Sequence, residues 1–311
     1  MTRVDWRAMT EEIVKKNPTG SAFFDGLEEP DKHIVDTLIQ ERCPSFAGHW
    51  TWPVMRPLLY SVLGYRKARG MADHLSGLNG RESFNYLSRE LNVNLDLRHL
   101  DRLPEKGRVV IAANHPTGLA DGVAVWDAII RKREDVVFFA NADALRVNRQ
   151  FTDVLIPIEW VASKRTPAKT RETLKLASEA FEQEKCIVIF PSGKLAKKNN
   201  GVLTEQEWFS TVVSLARKQK APIAPLHIEA ENSRLFYRLS KINGELRDIT
   251  LFHELLNKRR AEFDMAFGPL IPPERLAGDA QQVTAALQAH VAYRLGENPD
   301  LEFTAVSSNN S

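Results

Sequence analysis

The sequence has few cysteines and no long apolar run. Its 311 residues include only Cys43 and Cys186, too few and too far apart for a disulfide framework or a zinc site. Such cysteine usage is typical of a reducing compartment. No stretch reaches the ~18 uncharged apolar residues that a membrane-spanning helix needs. The first residues mix charged and polar side chains and lack the apolar core of a secretory signal, so we expect a cytoplasmic protein.

A strong net charge is also missing. The chain has 42 basic and 40 acidic residues, so its bulk charge favours no polyanionic partner, and no nucleic-acid-binding motif occurs. Glycine-rich nucleotide-binding loops are absent. The pairs His227 with Glu229 and His253 with Glu254 lack the further ligands of known zinc motifs. The sequence therefore predicts no nucleic acid partner, no metal and no cofactor.

The pattern of apolar residues predicts the fold class. Beyond residue 100, apolar runs typical of buried strands alternate with segments of helical periodicity. This alternation predicts an α/β domain with a mainly parallel or mixed sheet flanked by helices. The expected strands are Arg108–Ala113, Asp135–Ala140, Cys186–Phe190, Ile223–Ile228 and Glu262–Phe267. The expected helices are Ala120–Arg131, Thr170–Glu184 and Asp279–Leu295, together with one that opens at a capping box from Thr204 to Glu207.

The first third of the chain differs from the rest. Phe84, Leu87 and Leu91 recur at helical spacing, and a polar stretch follows residue 100. We therefore expect an N-terminal helical accessory segment, an α/β domain and a disordered tail, over residues 1–100, 101–305 and 306–311 respectively.

Polar residues follow two of the expected strands at the point where each strand ends. The run Val109–Ala113 continues into an Asn-His pair ending at His115, and Asp121 lies six positions further on. The run Cys186–Phe190 continues into Pro-Ser-Gly-Lys, which ends at Lys194. Because the carboxyl ends of parallel strands meet at one edge of a sheet, these residues predict an active site there.

A histidine close to a carboxylate can move a proton. Imidazole titrates near neutral pH, so His115 can accept a proton from a hydroxyl group and later return it. Asp121 would hold the ring tautomer, and Gly118 and Gly122 would permit the turn between the two residues. The free N–H groups of the helix that begins near Ala120 would favour negative charge at the site. The alternative is a structural histidine, with Asp121 only capping the helix.

These motifs resemble the glycerolipid acyltransferases, typified by lysophosphatidic acid acyltransferase. That family carries a strand ending in Asn-His with an aspartate soon after, a second strand ending in Phe-Pro-Glu-Gly, and a later Pro-Ile-x-Pro. The resemblance covers about Leu103 to Ile271. The matching residues are Asn114, His115 and Asp121, then Phe190, Pro191 and Gly193, then Pro222, Ile223 and Pro225.

Two departures from the family pattern stand out. Five residues, not four, separate His115 from Asp121, and Ser192 replaces the glutamate of the second motif. Hemolysin-related and ornithine-lipid acyltransferases share both departures, and their later pattern resembles Asn232–Tyr237 and Glu254–Arg259. An uncharged Ser192 beside Lys194 would tolerate acceptors whose headgroup carries a carboxylate, such as lyso-aminolipids.

The resemblance implies transfer of a fatty acyl chain from an acyl thioester to a lysolipid-type acceptor. The donor would be acyl carrier protein or coenzyme A, and the acceptor oxygen would attack the thioester directly, with His115 as the general base oriented by Asp121. The expected substrate-binding residues are Asn114, Gly118, Ser192, Gly193, Lys194 and Arg165. Surface salt bridges are the alternative role for Arg165. An ester hydrolase and an inactive lipid-binding protein are the alternative functions.

The stretch from Trp50 to Arg69 combines aromatic and aliphatic bulk with cations at its end. This composition is typical of a helix that lies in a membrane interface, and an ordinary core helix is the alternative. Since a lipid acceptor lies in a bilayer, we expect a protein that binds peripherally to the inner face of the membrane.

Overall fold

The computed structural model of the chain describes residues 21–24, 32–199 and 201–305. The expected tail at 306–311 and the polar N-terminal residues lie outside this part of the chain.

The centre of the molecule is a mixed sheet of seven strands. Its strands are β1 (Asn94–Arg98), β2 (Val109–Ala113), β3 (Val136–Asn141), β4 (Leu155–Ile158), β5 (Cys186–Ile189), β8 (Ile223–Glu229) and β9 (Glu262–Phe267). Their order is β1-β9-β8-β2-β5-β3-β4, and only the β8–β9 pair is antiparallel. Two further strands, β6 (Lys197–Asn199) and β7 (Val202–Thr204), form a separate antiparallel pair. The expected α/β class with a mainly parallel, mixed sheet is confirmed.

Helices surround the sheet. The α-helices of the described residues are α1 (Ile34–Arg42), α2 (Pro44–Ala47), α3 (Trp52–Val62), α4 (Tyr65–Leu75), α5 (Gly80–Leu91), α6 (Leu119–Ile129), α7 (Asp143–Val147), α8 (Pro167–Glu182), α9 (Thr211–Lys218), α10 (Arg234–Ile242), α11 (Gly244–Asp248), α12 (Leu251–Asn257) and α13 (Ala280–Ala289). None of them is long and apolar enough to cross a bilayer.

Alternating side chains of β2 divide the core into two layers. Ile111 packs on one face of the sheet with Phe84 of α5 and Trp126 of α6. Ala112 packs on the other face with residues of α8, α9 and α13, including Phe181 of α8. The complete burial of β2 and β5 is what a parallel strand covered on both faces requires.

The N-terminal helices are joined to the sheet through aromatic contacts. Phe84 stacks on Trp126 and Phe138, with ring centroids 4.9 and 5.1 Å apart. The last of these N-terminal helices ends at Leu91. The following segment, Asn94–Arg98, is not helical and pairs with β9 as an edge strand of the sheet.

One expected helix start is wrong. The capping box at Thr204 does not open a helix, since α9 begins only at Thr211 and Trp208 is buried in the connection before it. The acidic side chain at position 205 turns inward to the active-site region, and the chain around it is irregular. The capping pattern therefore lies in a loop.

Candidate active site

The two polar segments meet at one edge of the sheet. β2 and β5 are parallel neighbours, with Val109 opposite Cys186 and Ala112 opposite Ile189. Their carboxyl ends therefore deliver His115 and the Pro-Ser-Gly-Lys turn to the same place.

Asp121 lies in the first turn of α6 and is fully buried. Its Oδ2 is 2.9 Å from Nδ1 of His115, although the carboxylate lies off the direction of the ring N–H, so the bond is not aligned. Oδ2 also accepts the backbone N–H groups of Thr117 and Gly118, both at 2.9 Å, and Oδ1 accepts the Thr117 hydroxyl. These two amides, which precede the first helical residue Leu119, are therefore not free to bind negative charge on a substrate.

The His115 side chain is held in a defined orientation. Its ring stacks on Phe190, with centroids 4.2 Å apart and planes inclined by 22°. About 18% of the side chain is exposed, which leaves the ring reachable by a substrate. Catalytic hydrogen bonds are often poorly aligned before substrate binds, so the geometry with Asp121 is compatible with a base and its orienting group.

Of the two glycines near Asp121, only Gly118 is needed for the turn. Its φ of 93° belongs to a region that other residues rarely adopt, and a Cβ there would lie 2.7 Å from Cδ2 of Leu195. Gly122 is an ordinary helical residue, and a Cβ at this position would meet no heavy atom of a neighbouring segment within 4 Å. The expected role of Gly122 in the turn is therefore wrong.

Asn114 joins two strands. Its amide nitrogen donates to the carbonyl of Ile228 at 2.8 Å, and its amide oxygen accepts the N–H of Ile228 at 2.7 Å. Asn114 is also buried. Because both ends of its amide bind β8, Asn114 serves to hold the strand ends in register beside His115.

The turn after β5 is shaped by Ser192 and Gly193. The Ser192 hydroxyl donates to the carbonyl of Lys194 at 2.8 Å and is buried. Gly193 has a φ of 57°, and a side chain there would overlap the ring of Trp160. Lys194 is exposed and has no ion pair with any described residue, which makes it a free cation close to the site.

The other lysines of this region are less available. Lys198 pairs with Glu231 at 2.7 Å and lies over the ring of Tyr237. Lys197 is exposed on β6.

An apolar pocket of about 340 Å³ adjoins the turn. It shares Phe190 and Pro191 with the site, and Arg165 lies among its lining residues. Its apolar walls are formed by Phe139, Ile158, Trp160, Ile189, Phe209 and Leu215. Lys169 in the same pocket pairs with Glu159 at 3.0 Å, whereas Arg165 forms no ion pair with a described residue. Within the described part of the chain, Arg165 therefore takes no part in the surface salt bridges considered as its alternative role.

The later segments that resemble the acyltransferase subgroup contact each other. Glu254 accepts the hydroxyl of Ser233 at 2.6 Å and its N–H at 2.8 Å, and Lys258 pairs with Glu254 at 3.2 Å. The amide of Asn232 lies 3.5 Å from the carbonyl of Pro116, next to His115. These segments support the histidine loop from one side.

Two further residues belong to the site although the sequence does not indicate them as site residues. Glu205 accepts the backbone N–H of His115 at 3.2 Å, and Trp160 covers Gly193. Glu205 is part of a helix-capping pattern that lies in a loop in the structure, and no sequence pattern includes Trp160.

Comparison with known proteins agrees with this arrangement. Residues 94–229 match the family model described as Acyltransferase. The match begins at the first residue of β1 and ends at the last residue of β8, so it contains both strand ends of the site.

Two curated relatives are lyso-glycine lipid O-acyltransferases. The protein from Phocaeicola vulgatus is 27% identical over 188 residues, which cover 58% of this chain and 66% of that protein. The protein from Bacteroides thetaiotaomicron is 26% identical over 188 residues, covering 58% of this chain and 67% of that protein. The chain thus matches about two thirds of the length of these relatives.

A solved structure also aligns with the chain. The crystal structure of the 1-acyl-sn-glycerophosphate (LPA) acyltransferase, PlsC, from Thermotoga maritima has a TM-score of 0.45 and 12% identity, covering 85% of this chain and 96% of that one. These values are too low to support an inference about the site. The family match and the two relatives do not depend on it: residues 94–229 of the chain are similar to an acyltransferase domain, and 58% of the chain is similar to lipid O-acyltransferases.

Proposed function

We propose that the protein transfers a fatty acyl chain from an acyl thioester to the hydroxyl group of a lysolipid acceptor. The observation that carries the proposal is the 2.9 Å approach of His115 Nδ1 to the buried carboxylate of Asp121 at the ends of two parallel strands. His115 takes the proton of the acceptor hydroxyl as that oxygen attacks the thioester carbonyl carbon. The carbon–sulfur bond then breaks, and the proton passes from His115 to the departing thiolate.

Asp121 has two tasks in this scheme. Its three hydrogen bonds to Thr117 and Gly118 hold the loop in shape, and its charge stabilises the imidazolium that forms at His115. A carboxylate with no exposed surface keeps this charge close to His115 and away from competing water.

The acyl chain has a candidate binding site in the 340 Å³ pocket. Ligand pockets are mostly apolar with a few polar groups, and their volumes are roughly 300–1,000 Å³. Arg165 is a cation at this pocket that could bind a phosphate of the donor, since acyl carrier protein and coenzyme A thioesters both carry phosphate groups.

We infer that the acceptor is a lyso-aminolipid. The two relatives are named for a lyso-glycine lipid, and the free cation of Lys194 suits a headgroup with its own carboxylate. The sequence suggests that a site without the glutamate at position 192 tolerates a carboxylate on the acceptor. The structure removes this argument, because Glu205 brings a carboxylate to the same part of the site. The acceptor inference therefore depends on Lys194 and on the relatives.

A direct test combines the purified protein with acyl-carrier-protein and acyl-coenzyme A thioesters and a panel of lysolipids. We expect His115→Ala to lower the transfer rate by about 10²–10⁴, the usual effect of removing a general base. The matched control is His74→Ala, since His74 is an exposed histidine of α4 and should leave the rate unchanged. Full activity of a folded His115→Ala variant would refute the mechanism.

The same assay separates the competing functions. An acyl ester product establishes transfer, whereas free fatty acid released at the same rate without acceptor would indicate a hydrolase. Exclusive acylation of lysophosphatidic acid would contradict the inferred acceptor.

We also propose that the protein docks on an anionic membrane surface through one face of α3, which we call the α3 stripe. Val54, Leu58 and Val62 follow one another at four-residue intervals along α3 and are 79%, 70% and 55% exposed, and Trp50, in the turn just before the helix, is 83% exposed. Four-residue spacing places side chains on the same side of a helix. Exposed apolar residues in such a row indicate an interaction surface and not a core.

The α3 stripe is only part of the stretch from Trp50 to Arg69, because other aromatic residues of this stretch face the interior. Trp52 is buried, and its ring contacts Tyr60 in the helical core. Cations next to the stripe suit an anionic surface, because Arg66 and Lys67 are exposed and have no ion pair with a described residue. Each cation adds about 1 kcal/mol of attraction near an anionic surface.

Co-sedimentation with vesicles of anionic phospholipid tests this surface. Leu58→Ser combined with Val54→Ser should weaken binding at low salt, whereas high salt should weaken only the contribution of the cations. The matched control is Val202→Ser, which removes an equally exposed apolar residue from β7. Equal binding of the stripe variant and the control would contradict the proposal.

A further inference from the structure

Glu205 is a buried carboxylate whose hydrogen bonds converge on the site. It follows β7 directly and is 7% exposed. Its Oε2 accepts the backbone N–H of His115, and its Oε1 accepts the indole N–H of Trp208, both at 3.2 Å. Burial raises the pKa of Glu205, while the N–H and charge of His115 act in the opposite direction.

The β6–β7 pair holds the main chain of His115 from both sides. The residue just before β6, Ala196, donates its N–H to the carbonyl of His115 at 3.0 Å. The residue just after β7, Glu205, accepts the N–H of His115. Since both backbone groups of His115 bind the two ends of one hairpin, a shift of Glu205 must also move His115.

Ser192 lies near Glu205, although its hydroxyl forms its hydrogen bonds with the backbone of Lys194. The Ser192 hydroxyl acts to lower the pKa of Glu205, against the effect of burial. The hydroxyl has a single proton, for which the Lys194 carbonyl at 2.8 Å competes. Glu205 therefore lies close to both the histidine loop and the turn that carries Lys194.

We propose that Glu205 is a positioning residue for His115. It provides, from a different position in the chain, the carboxylate that the common family pattern has in the turn at the position of Ser192. This inference rests on the proposed function. Its carboxylate fixes the main chain of His115, and its negative charge favours the imidazolium formed during transfer.

Glu205→Gln tests the role of the charge. The amide oxygen can accept one of the two N–H groups, but the NH2 group then faces the other donor, so one bond is lost. We expect kcat to fall about ten- to a hundredfold, the effect of losing a hydrogen bond to a charged group. KM should change little, since Glu205 is buried and acts on His115.

The pH profile distinguishes this role from a purely structural one. In the unchanged protein, protonation of Glu205 removes the charge that favours the imidazolium, so its ionisation adds to that of the general base and the acidic limb should have a slope greater than one. Glu205→Gln removes the ionisation of residue 205 and should reduce the slope of the acidic limb to one. Trp208→Phe is the control, because it removes only the indole donor to Glu205 and should leave the slope unchanged.

A charge relocation provides the second test. Ser192→Glu alone places two carboxylates together and should lower kcat. Combining Ser192→Glu with Glu205→Ser moves the carboxylate to the turn and should give a higher kcat than either single variant. The proposal is overturned if the double variant folds but is less active than both, and also if Glu205→Gln keeps the full kcat and slope.

These outcomes are separable from a failure of the proposed function. If the unchanged protein transfers no acyl chain, the proposed function fails before any variant is compared. If His115→Ala is inactive while Glu205→Gln is fully active, only the inference about Glu205 fails. If Glu205→Gln does not fold by circular dichroism, the double variant decides.

Discussion

Replacing Gly118 by alanine should damage both stability and catalysis, whereas the same change at Gly122 should not. Gly118 has a φ of 93° and a ψ of −126°. Holding alanine in such a region costs about 1–3 kcal/mol. Its Cβ would also lie 2.7 Å from Cδ2 of Leu195, and moving that side chain off its rotamer costs about 0.5–1.5 kcal/mol. Alanine also restricts the unfolded chain more than glycine does, which offsets about 0.4–1 kcal/mol, so the net loss should be centred on about 2 kcal/mol, within about 0.5–4 kcal/mol.

Gly122 is the matched control because it lies four residues away in the interior of α6. A Cβ there meets no heavy atom of a neighbouring segment within 4 Å, so alanine should add about 0.5–1 kcal/mol of stability. Urea unfolding at pH 7 should therefore separate the two variants by about 3 kcal/mol. Gly118→Ala should also lower kcat, because the N–H of Gly118 binds Asp121. Similar unfolding midpoints for the two variants would show that the turn is not constrained as described.

Two further predictions concern stability. His290 is buried, its Nε2 has no partner among the described residues, and burial lowers its pKa to about 4. The neutral form of His290 is compatible with burial, so its contribution to the free energy of unfolding is fully present above the unfolded pKa of about 6.5. As the pH falls to 4, this contribution decreases by up to about 3 kcal/mol. His290→Phe should therefore make the urea unfolding midpoint less pH-dependent over this range. The buried Arg133 donates to three backbone carbonyls and pairs with Asp135. Arg133→Met should cost about 3–5 kcal/mol in urea unfolding, whereas Arg131→Met, at an exposed neighbour, should cost less than about 0.5 kcal/mol.

The strands that carry the site could be predicted from the sequence because they are buried on both faces. β2 and β5 are continuous apolar runs, β8 is apolar except for His227 and Glu229, and the polar residues that follow β2 and β5 are easily recognised. β1 and β4 were missed for different reasons. β1 is an edge strand with charged Asp96 and Arg98, and β4 has only four residues, one of them Pro157. Neither has a periodicity that a short window can resolve.

Contacts between segments distant in the chain could not be predicted. His115 and Glu205 are 90 positions apart, and no sequence pattern pairs them. The capping motif that begins at Thr204 favours a different role for Glu205. Trp160 is likewise placed over Gly193 by packing. Composition also does not indicate which side of α3 is exposed, because Trp52 and Leu58 are both apolar and only the fold buries Trp52.

The longer loop between His115 and Asp121 is compensated by the hydrogen bonds of Asp121 itself. An additional residue in a buried loop adds a backbone N–H group that must find an acceptor. Thr117 and Gly118 are both buried, and Asp121 accepts the N–H of each as well as the Thr117 hydroxyl. The same carboxylate remains 2.9 Å from His115. Since Asp121 satisfies the longer loop without moving away from the histidine, the spacing that departs from the common family pattern is compatible with the same pairing of base and carboxylate.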